Sequence, residues 1–396
     1  MKNKFIAAAL ATLFMLTFLG TAAYAGPYDS VFAQATFSTL VEFDKNDILT
    51  YELRGFCSST DGKYLFGGLL QNLRRVIKID AATGEVLGEY SDDEPGYPKG
   101  LAADDRGYLY VGIANAANDG AVGFAIVDIE SMEEVKFVST EIAGKVGVNG
   151  VAVAKLGGKY YLYVITNYDT DRLYRWDVTD PKNPVMDASF GKSSGYTDLQ
   201  ELTGSADCDA NYLAVDGDGV IYMTAKVSSG SKGDTLLKLS ADGKSIISTA
   251  SLVEPYGIYF YDGYVLVSTY NGADSVVYVI NASDLSTVCE IADTEDSARY
   301  SGVTIAGDKI YISDQGYGLG DRILVSNKLE FPASEPAAQP EAAAEEAQAP
   351  VEEAQSTAPA ADVIVAAKTY DSSAVLISAA LACAALASVI IFKRRR

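Results

Sequence analysis

Six residues suited to holding a ligand recur at the starts of short apolar stretches: Arg54, Lys99, Asn149, Asn211, Tyr256 and Tyr300. Tyrosine beside Asn and Asp suits a sugar or a peptide, with ring faces for stacking and polar atoms for hydrogen bonds. The segments around them are polar and varied. Asp92-Asp93-Glu94, Glu141, Asp207, Asp209, Glu254 and Glu295-Asp296 precede the stretches. Asn115, Asn118, Asn167-Tyr168-Asp169, Tyr270-Asn271 and Asp314-Gln315-Gly316-Tyr317 follow their partners. The chain contains no histidine. That excludes a His-based triad, a His general base and every His-ligated metal site. No catalytic set emerges from the residues that remain.

The charge balance points away from polyanions. Lys and Arg number 31 against 53 Asp and Glu, for a net charge of −22, and most of the excess lies in 26–331. Phosphate binding needs a basic face, so nucleic acid is not an expected partner. The four cysteines, Cys57, Cys208, Cys289 and Cys383, show no CxxC spacing. A disulfide scaffold is not expected in a domain of this size, although a Cys57–Cys208 link stays open. The run Asp216-Gly217-Asp218-Gly219 reads as a tight turn, and as a calcium loop only if later ligands join it.

These residues are positioned by a repeat. Lys99 to Val111, KGLAADDRGYLYV, reads as strand, turn and strand, and approximate copies start at Arg54, Asn149, Asn211, Tyr256 and Ser301. Aligned on Gly55, Gly100, Gly150, Tyr212, Gly257 and Gly302, the copies are 45, 50, 62, 45 and 45 residues apart. A third and a shorter fourth strand follow in each unit. A period near 45 with four short strands is the mark of a β-propeller. The expected fold is all-β, a six-bladed β-propeller, with a seven-bladed one as the alternative. Residues 35–53 read as two strands, and an N-terminal strand should pair into the last blade and so remove an exposed edge. The outer strand of that blade is expected from 48–53 or from Lys328 to Phe331. The longest step marks an insertion near Gly191 to Ala206. In each blade the starts of the innermost strands ring the mouth of the channel, so the six ligand candidates should meet there.

The ends differ in kind. Residues 1–25 read as a signal peptide, with Lys2 and Lys4, an apolar run and Ala23-Tyr24-Ala25 before the cut. Residues 26–331 are the propeller. Residues 332–372, rich in Pro, Ala and Glu, read as a disordered stalk. Residues 373–392 are long and apolar enough for a transmembrane helix, and the basic tail 393–396 places the propeller outside.

The tail resembles a sortase-type sorting signal of Gram-positive bacteria, whose motif is LPxTG. Lys368, Thr369 and Asp371 match common versions, while Ala366-Ala367 replace Leu-Pro and Tyr370 replaces Gly. The resemblance implies a surface anchor and a sortase as partner; a plain membrane anchor stays open. Residues 35–331 resemble the six-bladed propellers that include NHL-repeat proteins and gluconolactonase-like enzymes. In those enzymes a Glu, an Asn and an Asp hold a divalent ion. Val148-Asn149-Gly150-Val151 is similar to their PNG element, which puts Asn149 at the Asn position, but Arg54 stands at the Glu position and Ser301 at the Asp position. The expectation is an exported, surface-held module for binding, adhesion or scaffolding, with a glycan, peptide or protein as extracellular ligand. No cofactor is expected, with calcium left open. The alternative is a metal-dependent lactonase or lyase that uses carboxylate and Asn ligands.

Overall fold

The computed structural model describes residues 26–331 except 45–51, 71–74, 92–95, 115–121, 141–145, 169–170, 193–194, 206–207, 228–233, 292–298 and 317–319. The segments 1–25, 332–372, 373–392 and 393–396, with Lys368, Thr369 and Asp371, therefore lie outside the described residues. So do Asp92-Asp93-Glu94, Glu141, Asp207, Glu295-Asp296, Asn115, Asn118 and Tyr317. No helix among the described residues is long and apolar enough to cross a membrane.

A short helix α1 (Asp29–Phe32) and strand β1 (Phe37–Glu42) lead into the repeats. The first repeat gives β2 (Leu53–Ser58), β3 (Tyr64–Leu69), β4 (Arg75–Asp80) and β5 (Val86–Tyr90). The second gives β6 (Tyr97–Ala103), β7 (Tyr108–Ala114), β8 (Gly123–Asp128) and β9 (Glu134–Ser139). The third gives β10 (Val146–Leu156), β11 (Lys159–Tyr168), β12 (Arg172–Asp177) and β13 (Val185–Met186), then β14 (Tyr196–Asp198) and helix α2 (Leu199–Thr203). The fourth gives β15 (Cys208–Val215), β16 (Ile221–Val227), β17 (Asp234–Leu239) and β18 (Ile246–Ser251). The fifth gives β19 (Pro255–Tyr261), β20 (Tyr264–Thr269), β21 (Val277–Asn281) and β22 (Thr287–Ile291), and the sixth β23 (Tyr300–Ala306), β24 (Lys309–Gly316) and β25 (Gly320–Ser326).

Pairing within a repeat is antiparallel and sequential, except that β14 pairs with β12. Four sheets of four strands stand apart, and the second and third repeats join through the Gly147–Ala114 bridge into one nine-stranded sheet. The middle strands are buried on both faces. Val76, Ile77 and Ile79 of β4 are all buried, as are Phe124, Ala125, Ile126 and Val127 of β8. The outer strands alternate instead, and β18 reads half-buried then exposed along its length. Burial on both faces follows because each sheet packs face to face with its neighbours. Apolar clusters fill each gap between consecutive repeats, from Phe66 with Val111 between the first and second to Ile77 with Ile323 between the first and sixth.

The first strands touch in the order β2, β6, β10, β15, β19, β23 and back to β2, a closed and propeller-like ring. Glycine is required where they meet. A Cβ on Gly100 would stand 2.6 Å from the Val151 nitrogen, and one on Gly302 would stand 2.5 Å from the Phe56 Cβ. Only a residue without a side chain permits that approach.

The outer strand of the sixth sheet is β1, paired with β25 from Phe37–Ser326 to Glu42–Arg322. This corrects the expectation of 48–53 or Lys328 to Phe331. Leu40 and Val41 pack into the cluster around Leu53 and Ile77, which fixes β1 at that seam. Phe331 turns instead to Tyr28 and Phe32, with ring centroids 5.5 and 5.6 Å away. Cys57, Cys208 and Cys289 are free thiols, so the Cys57–Cys208 link is absent.

Candidate functional site

Every first strand carries a break in register at the same place. The ladder skips between Leu53 and Phe56, Pro98 and Gly100, Val148 and Gly150, Ala210 and Leu213, Pro255 and Ile258, and Tyr300 and Gly302. A bulge leaves its residue out of the ladder and re-aims the side chain. Arg54, Lys99, Asn149, Asn211 and Tyr256 all sit at these bulges. In the sixth repeat the equivalent residue is Ser301, not Tyr300. Tyr300 stays in the ladder opposite Asp314 and is fully buried among Tyr264, Val303 and Ile312. Side chains alternate along a strand, so a shift of one residue turns a channel position into a core position. Ser301 is itself buried and donates to the Leu53 carbonyl at 2.6 Å.

The bulged residues form two groups. In one, the Lys99 Nζ donates to the Asn149 Oδ1 at 3.2 Å, and the Asn149 Nδ2 donates to the Ala210 carbonyl at 3.2 Å. Asn211 is half-buried beside them in sequence. In the other, Arg54 donates from Nη1 to the Tyr256 hydroxyl, a contact between the first and fifth repeats. Tyr212 reaches Arg54 from the fourth repeat and donates its hydroxyl to the Arg54 carbonyl at 3.1 Å. Tyr212 occupies the position that is glycine in the other five repeats. Its ring sets edge-on to Tyr256, with centroids 5.0 Å apart. Burial, then Tyr256, pushes its phenol well above the ordinary range, so the ring stays neutral.

Tyr256 stacks on Tyr270, with centroids 4.9 Å apart and planes 29° from parallel. The Arg54 guanidinium lies 5.0 Å from the Tyr270 ring centre and 5.6 Å from that of Tyr256. Arg299 lies 5.1 Å from the same Tyr270 ring. All three distances fit cation–π attraction. The Tyr270 hydroxyl donates to the Gln315 Oε1. Gln315 is only 3% exposed, and among the described residues its Nε2 has no partner; the buried Arg54 Nε has none either.

The opposite ends of the first strands enclose a different space. A cavity of about 230 Å³ is lined there by Phe56, Cys57, Leu101, Ala152, Leu213 and Tyr259 among others. Burial pushes the Cys57 thiol far above its ordinary value, which makes it a poor nucleophile.

The residues fit a divalent ion badly. The Asn149 oxygen that would face a metal accepts from an ammonium, and Arg54 brings a second cation to the ring. Among the described residues no three Asp, Glu, Cys or His side chains gather as ligands. Asp216 is spent on its own turn: its Oδ1 accepts the Asp218 and Val220 N–H groups at 3.0 and 2.8 Å.

Sequence reasoning missed Tyr212, Arg299 and Ser301 as members of the site. Tyr212 had a signal, since it breaks an otherwise constant glycine. Tyr270 and Gln315 stood among the many loop residues, and nothing in the sequence separated them from the rest. The insertion is not a free loop: β14 pairs with β12, Asp198 caps α2 through the Glu201 N–H, and Thr197 donates to the Gly243 carbonyl at 2.8 Å.

Neither a protein-family model nor a curated protein matches the chain. Solved structures that align with it include Kuenenia stuttgartiensis hydrazine synthase, at 18% identity over 69% of this chain and 78% of that one, with a TM-score of 0.45. The β-propeller domain of Myceliophteria thermophila Cps50 (Swd1) aligns at 13% identity over 73% and 99%, with a TM-score of 0.45. A Bacteroides caccae protein of unknown function aligns at 13% identity over 64% and 86%, with a TM-score of 0.44. Likeness at this level carries nothing about ligand or activity.

Proposed function

We propose that this chain is an exported six-bladed propeller, held at the cell surface by a stalk and a C-terminal anchor, that binds a ligand on the face where the bulged residues converge. The count of six takes the joined nine-stranded sheet as two blades. It rests on six first strands in a closed ring and six apolar clusters between consecutive repeats. The export reading rests on the sequence alone, with one local feature in its favour. Gly26, the first residue after the expected cut, places its nitrogen 2.9 Å from the Asp29 Oδ2, where a new ammonium group would gain a charge partner.

The observation that carries the binding reading is the Arg54–Tyr256–Tyr270 stack, a cation on two tyrosine faces beside unpartnered buried donors. Rigid aromatic faces with unspent polar atoms are what a recognition site needs. The lactonase or lyase alternative would need a metal, and the Lys99–Asn149 contact weighs against one. The test is to probe the intact chain, solubilised in detergent, against a mixed array of glycans and peptides. Binding should weaken at least tenfold in Tyr270→Ser while the variant still unfolds in one cooperative transition. A ligand retained at full strength by that variant and by Tyr256→Ser would place recognition elsewhere.

A further inference from the structure

We infer that the ligand of this face is an anion, namely a carboxylate carried on a hydroxylated ring: an acidic sugar of the hexuronate class. This rests on the binding reading above and gives it a chemical class.

Four of the described arginines meet a carboxylate: Arg75 meets Glu89 at 3.1 Å, Arg106 meets Asp104 at 2.6 Å, Arg175 meets Asp187 at 2.7 Å and Arg322 meets Asp314 at 2.7 Å. Arg172 turns instead to the Tyr174 hydroxyl and the Tyr196 ring and also leaves its Nε over, but among the described residues no second orphan donor is joined to it. In a chain with 53 acidic residues against 31 basic ones, a carboxylate is the easiest partner to supply. Among the described residues Arg54 has none. Its one side-chain hydrogen bond to a described residue goes to the neutral Tyr256 hydroxyl, and its buried Nε is left over. A half-buried guanidinium without a counter-charge costs free energy that an incoming anion would recover.

A second observation points the same way. The Gln315 amide is 97% buried by the 3% exposure of its residue, and the atom it leaves unpartnered is a donor. Buried polar groups are nearly always satisfied, and an orphan calls for a missing partner. Tyr270 links it to Arg54, through its hydroxyl on one side and its ring on the other. Two orphan donors in one cluster ask for an acceptor with more than one oxygen, which a carboxylate provides in a plane matched to the guanidinium. Lys99 stands at the neighbouring bulge. The stacked Tyr256–Tyr270 pair adds an apolar wall for the C–H face of a sugar ring. The acidic excess elsewhere repels nucleic acids and other long polyanions, which favours a short acidic unit over a phosphate backbone.

The test is calorimetric titration of the intact chain, in detergent, with short oligomers of galacturonate and of glucuronate. The matched neutral galactose and glucose oligomers and glucose 6-phosphate run beside them. The uronates should bind and the neutral oligomers should not. Arg54→Gln should weaken uronate binding about 10- to 100-fold, as expected for losing a charge-assisted hydrogen bond, and 0.5 M salt should weaken it too. Gln315→Glu offers a variant that keeps Arg54: a fixed negative charge in the cluster should abolish uronate binding while the unfolding midpoint holds or rises. Uronate binding indifferent to both variants overturns the assignment, and so does equal binding of neutral oligomers. Preference for glucose 6-phosphate would replace the carboxylate with a phosphate. If no uronate binds but another ligand still needs Tyr270, the anion class fails and the binding face stands.

Discussion

Asp321 lies at the seam between the sixth and first repeats and is 6% exposed. Its Oδ2 accepts the Leu53 N–H at 2.6 Å. Burial, outweighing that bond, pushes its pKa up to about 6. The folded chain therefore keeps a proton that the unfolded chain releases near pH 4. The stability tied to this group is fully present below pH 4 and is lost as pH rises through about 6. Asp321→Asn keeps an acceptor for Leu53 and removes the loss. Its advantage over wild type should grow from near zero at pH 4 to on the order of 2–3 kcal/mol above pH 6.5. Denaturant unfolding of both chains between pH 4 and 7.5 measures it, and a flat difference would mean the carboxylate is ionised throughout. Nothing at the level of residue type marks Asp321 out, because burial is a property of the seam. Tyr300 and Ser301 are a different case. The bulge decides which of the two neighbours leaves the ladder, and the alignment on Gly302 already sets Ser301, not Tyr300, level with Arg54, Lys99 and Asn149.

At the scale of elements, the turns between third and fourth strands repeat one device with one exception built into it. Asp80, Asp128 and Asn281 each accept nearby N–H groups, a side-chain turn expected of Asx residues. The residue that closes each turn has positive φ: 77° at Gly84, 58° at Met132 and 61° at Leu285. Glycine belongs there; methionine and leucine do not. Their side chains explain them, since both are buried, and burying such a side chain is worth roughly 1.5–3 kcal/mol, enough to offset the roughly 1–3 kcal/mol cost of the backbone. The sequence shows the Asx residue and hides the trade. Asp128→Ala would remove one oxygen that accepts from the Glu130 and Ser131 N–H groups and the Ser131 hydroxyl, at 3.1, 2.9 and 3.0 Å. It should cost about 1 kcal/mol at neutral pH, seen as a lower denaturant midpoint with an unchanged slope. Backbone hydrogen bonding, chiefly from Ser131, holds this carboxylate below its usual range against the opposing effect of burial. The deficit should therefore shrink as pH falls through that range. A variant as stable as wild type would show that the Leu and Met contacts alone fix these turns.

For the whole molecule, the decisive step is closure. The period of 45 residues predicts a ring, because units too thin to bury their own faces must stack on one another. What the period does not show is which stretch completes the last sheet. That depends on long-range packing between residues nearly 290 apart, such as Phe37 with Ser326. Here β1 supplies the edge and α1 pins it. Phe32 is fully buried, 5.2 Å from the Tyr264 ring and 5.6 Å from Phe331, while the Tyr264 hydroxyl donates to Asp29 at 2.7 Å. One short helix thus ties the start of the chain to the fifth repeat and to the residues after the sixth. Phe32→Ala should cost about 3–5 kcal/mol, as for other buried aromatic residues. The distribution of that loss matters more than its size. If the N-terminal strap closes the ring, hydrogen exchange should speed up in β25 and β24 and across the seam in β2 and β3, because an open ring exposes both flanking faces. If only residues 26–43 lose protection, the strap is a local cover and the ring is held by its first strands alone. The Leu40 and Val41 contacts with the first repeat favour the former outcome, since losing β1 removes core from both sides of the seam at once.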